Sequence, residues 1–216
     1  MSDLYLYKVS WTSVTAGASP DGNNRTELFL WGCSRGANGK PCEGCFNPLL
    51  WKVSDDAIGI NPLEAAEQIN KMAPNKFVTI VGGEPLDQLD GLTELCDELK
   101  KRGFHIILFT SFKLKDLIRK KRIIKLIKRI DLLVDGMYDS SQRIYDESLA
   151  DGLHDAIGSA NQIIWDLNGW NNGGPLKGAR AGALDSYRIK EDFQTEFSFK
   201  VEKAPVYLDI SEKEQV

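Results

Sequence analysis

The chain has 216 residues, of which 42% are hydrophobic and 27% are charged, and its formal net charge is −4. This composition is typical of one soluble globular domain with at most a small appendage, and it excludes a collagen, a coiled coil and an intrinsically disordered chain. The negative net charge gives no general attraction to nucleic acid, so we expect no direct nucleic-acid binding.

The apolar runs are too short to cross a membrane. The longest of them, Phe77–Val81 and Phe104–Phe109, have the length of strands, whereas a membrane-spanning helix needs about 20 apolar residues. The first residues, Met1–Leu4, lack the basic stretch and apolar stretch of a secretory signal. We therefore expect a cytoplasmic protein without a membrane partner.

The first part of the chain predicts strands on either side of one helix. Asn61 is a favourable capping residue, and the proline that follows it suits the first turn of a helix. Ser19–Asn24 has the composition of a turn. The predicted elements, in chain order, are strands Leu4–Trp11 and Glu27–Trp31, helix Pro62–Met72, and strand Phe77–Val81.

The next part alternates helices with strands. Its predicted elements are helix Asp90–Arg102, strand Phe104–Phe109, a two-piece helical segment Lys113–Arg129, and strands Leu132–Val134 and Asn161–Leu167. This alternation predicts an α/β fold with mostly parallel strands and right-handed crossovers. Fewer than eight such units are visible, so we expect an open, partial (β/α) barrel. Polar clusters follow most strands, at the edge where such sheets bind ligands.

The character of the sequence changes after Leu167. Asn168–Pro175 has the composition of a loop, Thr195–Val201 alternates like a strand, and a polar tail follows. We therefore divide the chain into a core, residues 1–167, and a C-terminal extension, residues 168–216, which we expect to pack on the core.

Three of the four cysteines, Cys33, Cys42 and Cys45, follow the second predicted strand in a C-x8-C-x2-C pattern. Thiols this close in a reducing compartment indicate metal or redox chemistry, although three unrelated loop thiols are an alternative. A structural zinc site needs a fourth ligand, and the two histidines, His105 and His154, are distant in sequence. An iron–sulfur cluster with three thiolates would leave one iron open to a substrate or cofactor.

The fourth cysteine, Cys96, is a poor candidate for the missing ligand. It lies in Leu92–Leu99, where apolar residues recur at the spacing of one helix face. A cysteine on such a stripe is typical of a small buried core residue. We therefore predict a packing role for Cys96.

The cysteine loop resembles that of radical S-adenosylmethionine (SAM) enzymes, and most closely that of the activating proteins of anaerobic ribonucleotide reductase. The resemblance spans residues 27 to 167. Its segments are Trp31–Cys33, Cys42–Asn47 with Trp51, Val81–Leu86, Leu132–Gly136 and Gly158–Gln162. The chain departs from the family in its first cysteine gap, which is eight residues instead of three. It also departs at Met137, where the family often has lysine.

The resemblance implies a partial barrel of the radical SAM type and two cofactors. A [4Fe–4S] cluster would be held by Cys33, Cys42 and Cys45, and SAM would bind its open iron. Reductive cleavage of SAM would give a 5′-deoxyadenosyl radical that abstracts hydrogen from a glycine of a large partner, such as an anaerobic ribonucleotide reductase. The electron donor would be a flavodoxin or a ferredoxin. The alternatives are a radical SAM enzyme acting on a small molecule, as a 7-carboxy-7-deazaguanine synthase does, and a non-catalytic metal-binding module.

The resemblance also implies a set of SAM contacts. The residues are Gly44, Phe46, Gly82, Gly83, Glu84, Thr110, Ser111, Asp135, Ser159 and Asn161, with Gln162 as a further candidate. The two glycines of the Gly82–Glu84 motif would admit the methionyl part, and the carboxylate would meet the ammonium. Gly44 and Phe46 would lie near the adenine, although for Phe46 a core position is an equal alternative. The strand-end residues Thr110, Ser111 and Asp135 would meet the ribose, or they would cap helices.

The segment Lys113–Arg129 holds nine lysines and arginines and one acid, Asp116. A run of this kind is typical of the solvated face of a helix. A docking surface for an acidic partner is the alternative, because charged patches steer association.

Overall fold

A computed structural model describes residues 3–11, 25–143, 158–180 and 197–199. The turn predicted at 19–24, the second histidine and most of the C-terminal extension lie outside these residues. Within them the strands form one nine-stranded sheet. No helix in these ranges is both long enough and apolar enough to cross a membrane.

The strands are β1 (Leu4–Trp11), β2 (Thr26–Leu30), β3 (Gly59–Ile60), β4 (Phe77–Gly82), β5 (His105–Thr110), β6 (Leu132–Asp135), β7 (Ile163–Asp166), β8 (Leu176–Arg180) and β9 (Phe197–Phe199). The helices are α1 (Ser34–Ala37), α2 (Pro62–Met72), α3 (Leu89–Lys101), α4 (Leu114–Leu117), α5 (Lys121–Ile127) and α6 (Leu167–Asn171). Short 3-10 turns cover Pro48–Trp51, Pro85–Gln88 and Ser140–Gln142.

The sheet has the order β3-β1-β2-β4-β5-β6-β7-β8-β9. The four central strands β2, β4, β5 and β6 are parallel, and the flanking pairs are antiparallel. Following these pairings outwards, β3 and β8 also run in the direction of the central strands. The predicted α/β class with mostly parallel strands is therefore confirmed, and the sheet is open because β3 and β9 are its two edges.

The three helical segments that the sequence predicts are helical in the structure. Asn61 caps α2, since its Oδ1 accepts a hydrogen bond of 2.9 Å from the amide of Leu63. Arg102 caps the C-terminal end of α3, and Gly103 follows it. Gly103 has a φ of +80°, which ends the helix. The segment 113–129 forms two helices, α4 and α5, as predicted.

The apolar core lies between these helices and one face of the central strands. Leu95 and Leu99 of α3 are fully buried, as are Leu28 of β2, Ile80 of β4 and Ile106 of β5. The apolar residues in and just after the basic segment also enter this core: Leu117, Ile123, Leu126, Ile127 and Ile130 are all buried. This burial agrees with a basic segment whose charged side chains form a solvated face.

The predicted loop at 168–175 is wrong in its first half, where α6 forms. The carboxylate of Asp166 starts this helix by accepting a hydrogen bond of 2.9 Å from the amide of Gly169. Leu167 is fully buried and anchors the first turn. After α6 the chain adds β8 beside β7, so residues before and after 167 share one sheet. The strand predicted at 195–201 appears as β9 at 197–199.

Candidate functional site

A cavity of about 420 Å³ lies at the carboxyl edge of the parallel strands. Its wall includes the three clustered cysteines, Cys33, Cys42 and Cys45. Among the described residues, the wall contains no further cysteine and no histidine. The remaining cysteine, Cys96, is fully buried in α3, and this burial raises the pKa of its thiol. The predicted division between three site cysteines and one core cysteine agrees with these positions.

Cys33 is fixed by the turn between β2 and α1. Its sulfur caps α1 by accepting a hydrogen bond of 3.4 Å from the amide of Gly36. Its own amide donates to the carbonyl of Trp51 at 2.9 Å. The preceding Gly32 accepts a hydrogen bond of 2.7 Å from the amide of Glu84. The first cysteine is thus held both by its own helix and by the loop after β4.

Cys42 and Cys45 lie in one tight turn that is tied to the loop after β6. The amide of Cys45 donates to the carbonyl of Cys42 at 3.3 Å, and Gly44 between them has a φ of +65°. A Cβ on Gly44 would lie 2.5 Å from the hydroxyl of Ser140. Gly44 is absent from the cavity wall, so the structure shows it packing against Ser140, and its proximity to adenine stays a prediction.

The three thiols lie where a bound metal cluster would stabilise their deprotonated form. Burial raises the pKa of Cys33 and Cys42, and the neighbouring Cys45 and Cys33 raise that of Cys42 further, while the amide of Tyr138 lowers it. Thiolates brought together in this way are stabilised by bound cations. All four cysteines are free of disulfides.

The number of donors bears on the kind of metal site. A structural zinc site takes four ligands, and the described part of the cavity wall offers three cysteines and no histidine. In a [4Fe–4S] cluster each thiolate binds a different iron, so the sulfurs stand further apart around one cavity. The donor set fits such a cluster, with one iron lacking a cysteine ligand.

Gly82 and Gly83 line the cavity and also allow two backbones to approach. Their contact with the methionyl part of SAM stays a prediction. Gly82 has a φ of +119°, and a Cβ on it would lie 2.3 Å from the amide nitrogen of Leu30. A Cβ on Gly83 would lie 1.9 Å from the carbonyl oxygen of Gly32. Both positions require glycine, because the end of β4 lies directly against Leu30 and the next residue lies directly against Gly32.

Glu84 ties two strand ends together. Its carboxylate, 1% exposed, accepts hydrogen bonds from the hydroxyls of Thr110 at 2.7 Å and Ser111 at 2.6 Å, and from the amides of Ser111 at 2.8 Å and Leu86 at 3.1 Å. Burial raises its pKa, and these donors oppose the rise. Glu84 is absent from the cavity wall, so its predicted contact with the SAM ammonium remains a prediction.

Of the residues predicted to contact the ribose, two line the cavity and one is buried behind its wall. Thr110 and Ser111 line the cavity, although their hydroxyls donate to Glu84. Asp135 is 1% exposed and absent from the wall. Its Oδ2 accepts a hydrogen bond of 2.6 Å from the amide of Leu114, the first residue of α4. Burial raises the pKa of Asp135, against the effects of Leu114, Trp165 and Lys113.

Residues 159–162 hold the loop after β6. Ser159 accepts from the amide of Asp139 at 3.1 Å, and the Asn161 amide group donates to the carbonyl of Met137 at 2.9 Å. Gln162 donates to the carbonyl of Gly136 at 2.8 Å. Gln162 lines the cavity, while Ser159 and Asn161 do not. Any SAM contact of the latter two stays a prediction.

Phe46 is in the cavity wall and is 51% exposed, so it is not a core residue. Its ring lies 4.5 Å from that of Tyr138, centroid to centroid, and the guanidinium of Arg143 lies 4.8 Å above it. These three side chains form one rim of the cavity. Its predicted position beside adenine stays a prediction.

Sequence reasoning missed several residues of the wall as site candidates: Glu27, Phe29, Tyr138, Arg143 and, as a contact of a cysteine sulfur, Trp51. The alternation of β2 carries a signal for the first two, because they face away from the buried Leu28 and Leu30. Tyr138 and Arg143 follow β6 in a loop without a periodic pattern, and the sequence carries no signal for them.

Comparisons with known proteins agree with this site. A model of the family described as "4Fe-4S single cluster domain" matches residues 21–165, more than half of the chain. The chain is also similar to proteins named pyruvate formate-lyase-activating enzyme from Staphylococcus aureus strains USA300, NCTC 8325 / PS 47 and COL. Each is 36% identical over 92 residues, which are 39% of this chain and 34% of the relative. The chain thus matches only about a third of the length of these relatives.

The family match and the geometry point to the same cofactors. The matched range contains all three cavity cysteines and the Gly82–Glu84 motif. The cofactors of radical SAM enzymes, a [4Fe–4S] cluster and SAM, therefore apply to this chain. The chain therefore belongs to the family of 4Fe-4S single cluster domains, within the radical SAM proteins.

Proposed function

We propose that this protein is a radical SAM enzyme that activates a partner protein by removing a hydrogen atom from one of its glycines. The observation that carries the proposal is the set of three free cysteines in one cavity wall at the carboxyl edge of the parallel strands. When bound, the cluster and SAM supply one electron and a carbon-centred radical able to take a hydrogen atom.

The residues of this chain bind the cluster and fix the loops that surround it. Cys33, Cys42 and Cys45 hold the cluster through their thiolates. The loop at Gly83 and Glu84 fixes the turn before Cys33, through the hydrogen bonds described above. Glu84 joins that loop to the end of β5, so that the strand ends keep a constant separation.

An apolar row inside the cavity supports radical chemistry. Phe29 of β2, Val81 of β4 and Phe109 of β5 line the wall on adjacent strands, and Phe29 pairs directly with Val81. These three apolar side chains exclude water from their part of the wall. This arrangement favours an enzyme over a non-catalytic metal-binding module.

Anaerobic reconstitution tests the cofactor part of the proposal. The protein is incubated with iron and sulfide, and bound iron, the absorption spectrum and 5′-deoxyadenosine released from SAM under dithionite are measured. We expect about four irons per chain and release of 5′-deoxyadenosine. A colourless protein that binds stoichiometric zinc and leaves SAM intact would contradict the proposal.

The partner is tested separately. We propose a glycyl-radical enzyme of the anaerobic ribonucleotide reductase type. The reduced enzyme, SAM and a purified reductase of this type are mixed without oxygen, and the glycine-centred EPR doublet on the reductase is recorded. Turnover of SAM with a small metabolite, without any partner protein, would instead support the small-molecule alternative.

The remaining assignments are also proposals. A flavodoxin or ferredoxin would deliver the electron, and the protein would act in the cytoplasm. The division between a core ending at 167 and an extension from 168 to 216 rests on the family match, which ends at residue 165; in the structure this boundary falls inside α6, and β8 of the extension pairs with β7 of the core. Limited proteolysis of the full chain, with mass spectrometry of the fragments, tests this boundary.

A further inference from the structure

The long spacer between Cys33 and Cys42 places a helical turn against the ring of Trp51. Helix α1 occupies the start of this spacer, and Gly36 in it is buried. A Cβ on Gly36 would lie 2.3 Å from Cγ of Trp51. Gly36 lies within the helix, so glycine is needed here for space and not for an unusual backbone conformation.

Trp51 also contacts both ends of the cysteine motif. Its indole Nε1–H donates a hydrogen bond to the sulfur of Cys45 at 3.5 Å. Its carbonyl accepts the amide of Cys33 at 2.9 Å. The indole ring itself lines the cavity. The side chain is therefore held by Gly36 on one side and donates to a cysteine ligand on the other.

A hydrogen bond to a ligand sulfur changes the electron affinity of an iron–sulfur cluster. The N–H dipole stabilises negative charge on the sulfur, and the reduced cluster carries one more negative charge than the oxidised cluster. The donor therefore favours the reduced form and raises the reduction potential. Radical SAM cleavage needs the reduced form, so this donor bears directly on the supply of the electron.

We infer that Trp51 is a positioning residue that sets the reduction potential of the cluster through its N–H···S bond to Cys45, and that Gly36 of the long spacer keeps its ring in place. This inference rests on the proposed cluster. It gives the unusual eight-residue gap a physical role, because α1 supplies the surface against which the indole packs.

The inference is tested on the reconstituted full chain with the variants Trp51→Phe and Gly36→Ala and their combination. Phenylalanine keeps an aromatic ring and removes the donor, while the added methyl of alanine displaces the ring and leaves the donor present. Trp170→Phe is the matched control, since Trp170 packs against the core and is absent from the cavity wall. The midpoint potential is measured by anaerobic titration followed by EPR, together with the iron content.

We expect Trp51→Phe to shift the midpoint potential to a more negative value while iron content stays near that of the wild type. Gly36→Ala should shift it in the same direction. The double variant should shift no further than Trp51→Phe alone, because the added methyl acts through Trp51. A larger shift would place the effect of Gly36→Ala at its own amide, which donates to the sulfur of Cys33, and would overturn the role assigned to Gly36. Trp170→Phe should leave the potential unchanged.

The outcomes separate this inference from the proposed function. A wild-type protein that takes up no cluster overturns both. A wild type with a cluster, and a Trp51→Phe protein with the same potential, overturns the inference alone. If Trp51→Phe binds less iron, the midpoint potential of the Gly36→Ala protein is used instead. A Gly36→Ala protein with the wild-type potential overturns the inference. Urea unfolding of the apoproteins distinguishes a loss of iron from a loss of folding.

Discussion

The two faces of the central strands differ in what they contact. On one face, Leu28, Ile80 and Leu108 are buried in the core beneath the helices. On the other face, Glu27 and Phe29 line the cavity. The cysteines divide in the same way, since three lie at the cavity and Cys96 lies among the helices. A thiol beneath the helices is only a packing group, whereas thiols at the cavity can bind a metal cluster.

The two faces differ in how their buried side chains are stabilised. The helix-covered face is apolar and is completed by packing alone. At the cavity edge several buried polar groups are satisfied by residues from other elements, and Glu84 with its four donors is the clearest case. Substitutions on the two sides should therefore fail in different ways.

The largest expected effect contrasts the two classes of cysteine. Cys33→Ala, Cys42→Ala or Cys45→Ala should each abolish stable cluster binding, because each removes one of only three cysteine ligands. Bound iron and the absorption spectrum after reconstitution provide the measurement. Cys96→Ala is the control: it should bind iron like the wild type and lose on the order of 1 kcal/mol of unfolding free energy from its buried site. Loss of the cluster in Cys96→Ala would contradict the division into three cluster ligands and one packing cysteine.

The next effect concerns the carboxylate that joins the strand ends. Glu84→Gln replaces one accepting oxygen by an amide that donates, so the donors of Ser111 and Thr110 can no longer all be accepted. We expect a loss of roughly 2–4 kcal/mol of unfolding free energy, because buried polar groups are left unsatisfied. Urea unfolding gives the value, and the exposed Glu67→Gln is the control. An equal effect of both variants would contradict the bridging role.

Glu27 gives a smaller effect that depends on pH. Burial raises its pKa above the ordinary value of 4.5, and Lys8 opposes the rise. The folded chain therefore holds this proton to a higher pH than the unfolded chain does. Stability falls as pH rises from the ordinary value through the raised one, and it stays lower above that window.

Glu27→Gln cannot ionise, so it avoids this loss. We expect the variant to be more stable than the wild type at about pH 8, by on the order of 1 kcal/mol, and equal to it at about pH 4. Urea unfolding at the two pH values tests the expectation. A difference of the same size at both values would assign the effect to packing instead of charge.

The smallest effect is expected outside both faces. Arg122 and Asp90 form an ion pair of 2.7 Å, with side chains 60% and 57% exposed. Arg122→Ala should cost at most about 0.5 kcal/mol, because solvent screens exposed pairs. Thermal unfolding at low and high salt measures it. A cost comparable to that of Glu84→Gln would show that the exposed ion pair contributes as much stability as the buried carboxylate.

The sequence by itself determined the order of the main elements, the capping of α2 by Asn61, and the assignment of Cys96 to a buried helix face. It also determined that three thiols follow a strand end. These are local properties, which depend on periodicity and on neighbours along the chain. Two local signals were missed: the cap at Asp166 that begins α6, and the alternation of β2 that places Glu27 and Phe29 on the cavity face.

Only the tertiary structure decided what surrounds the thiols. The bond between Thr110 and Glu84 joins residues 26 positions apart. The contact of Gly36 with Trp51 depends on how two turns of the cysteine loop fold back on each other. Periodicity does not encode such contacts, because they arise when packed strands bring their ends to one edge.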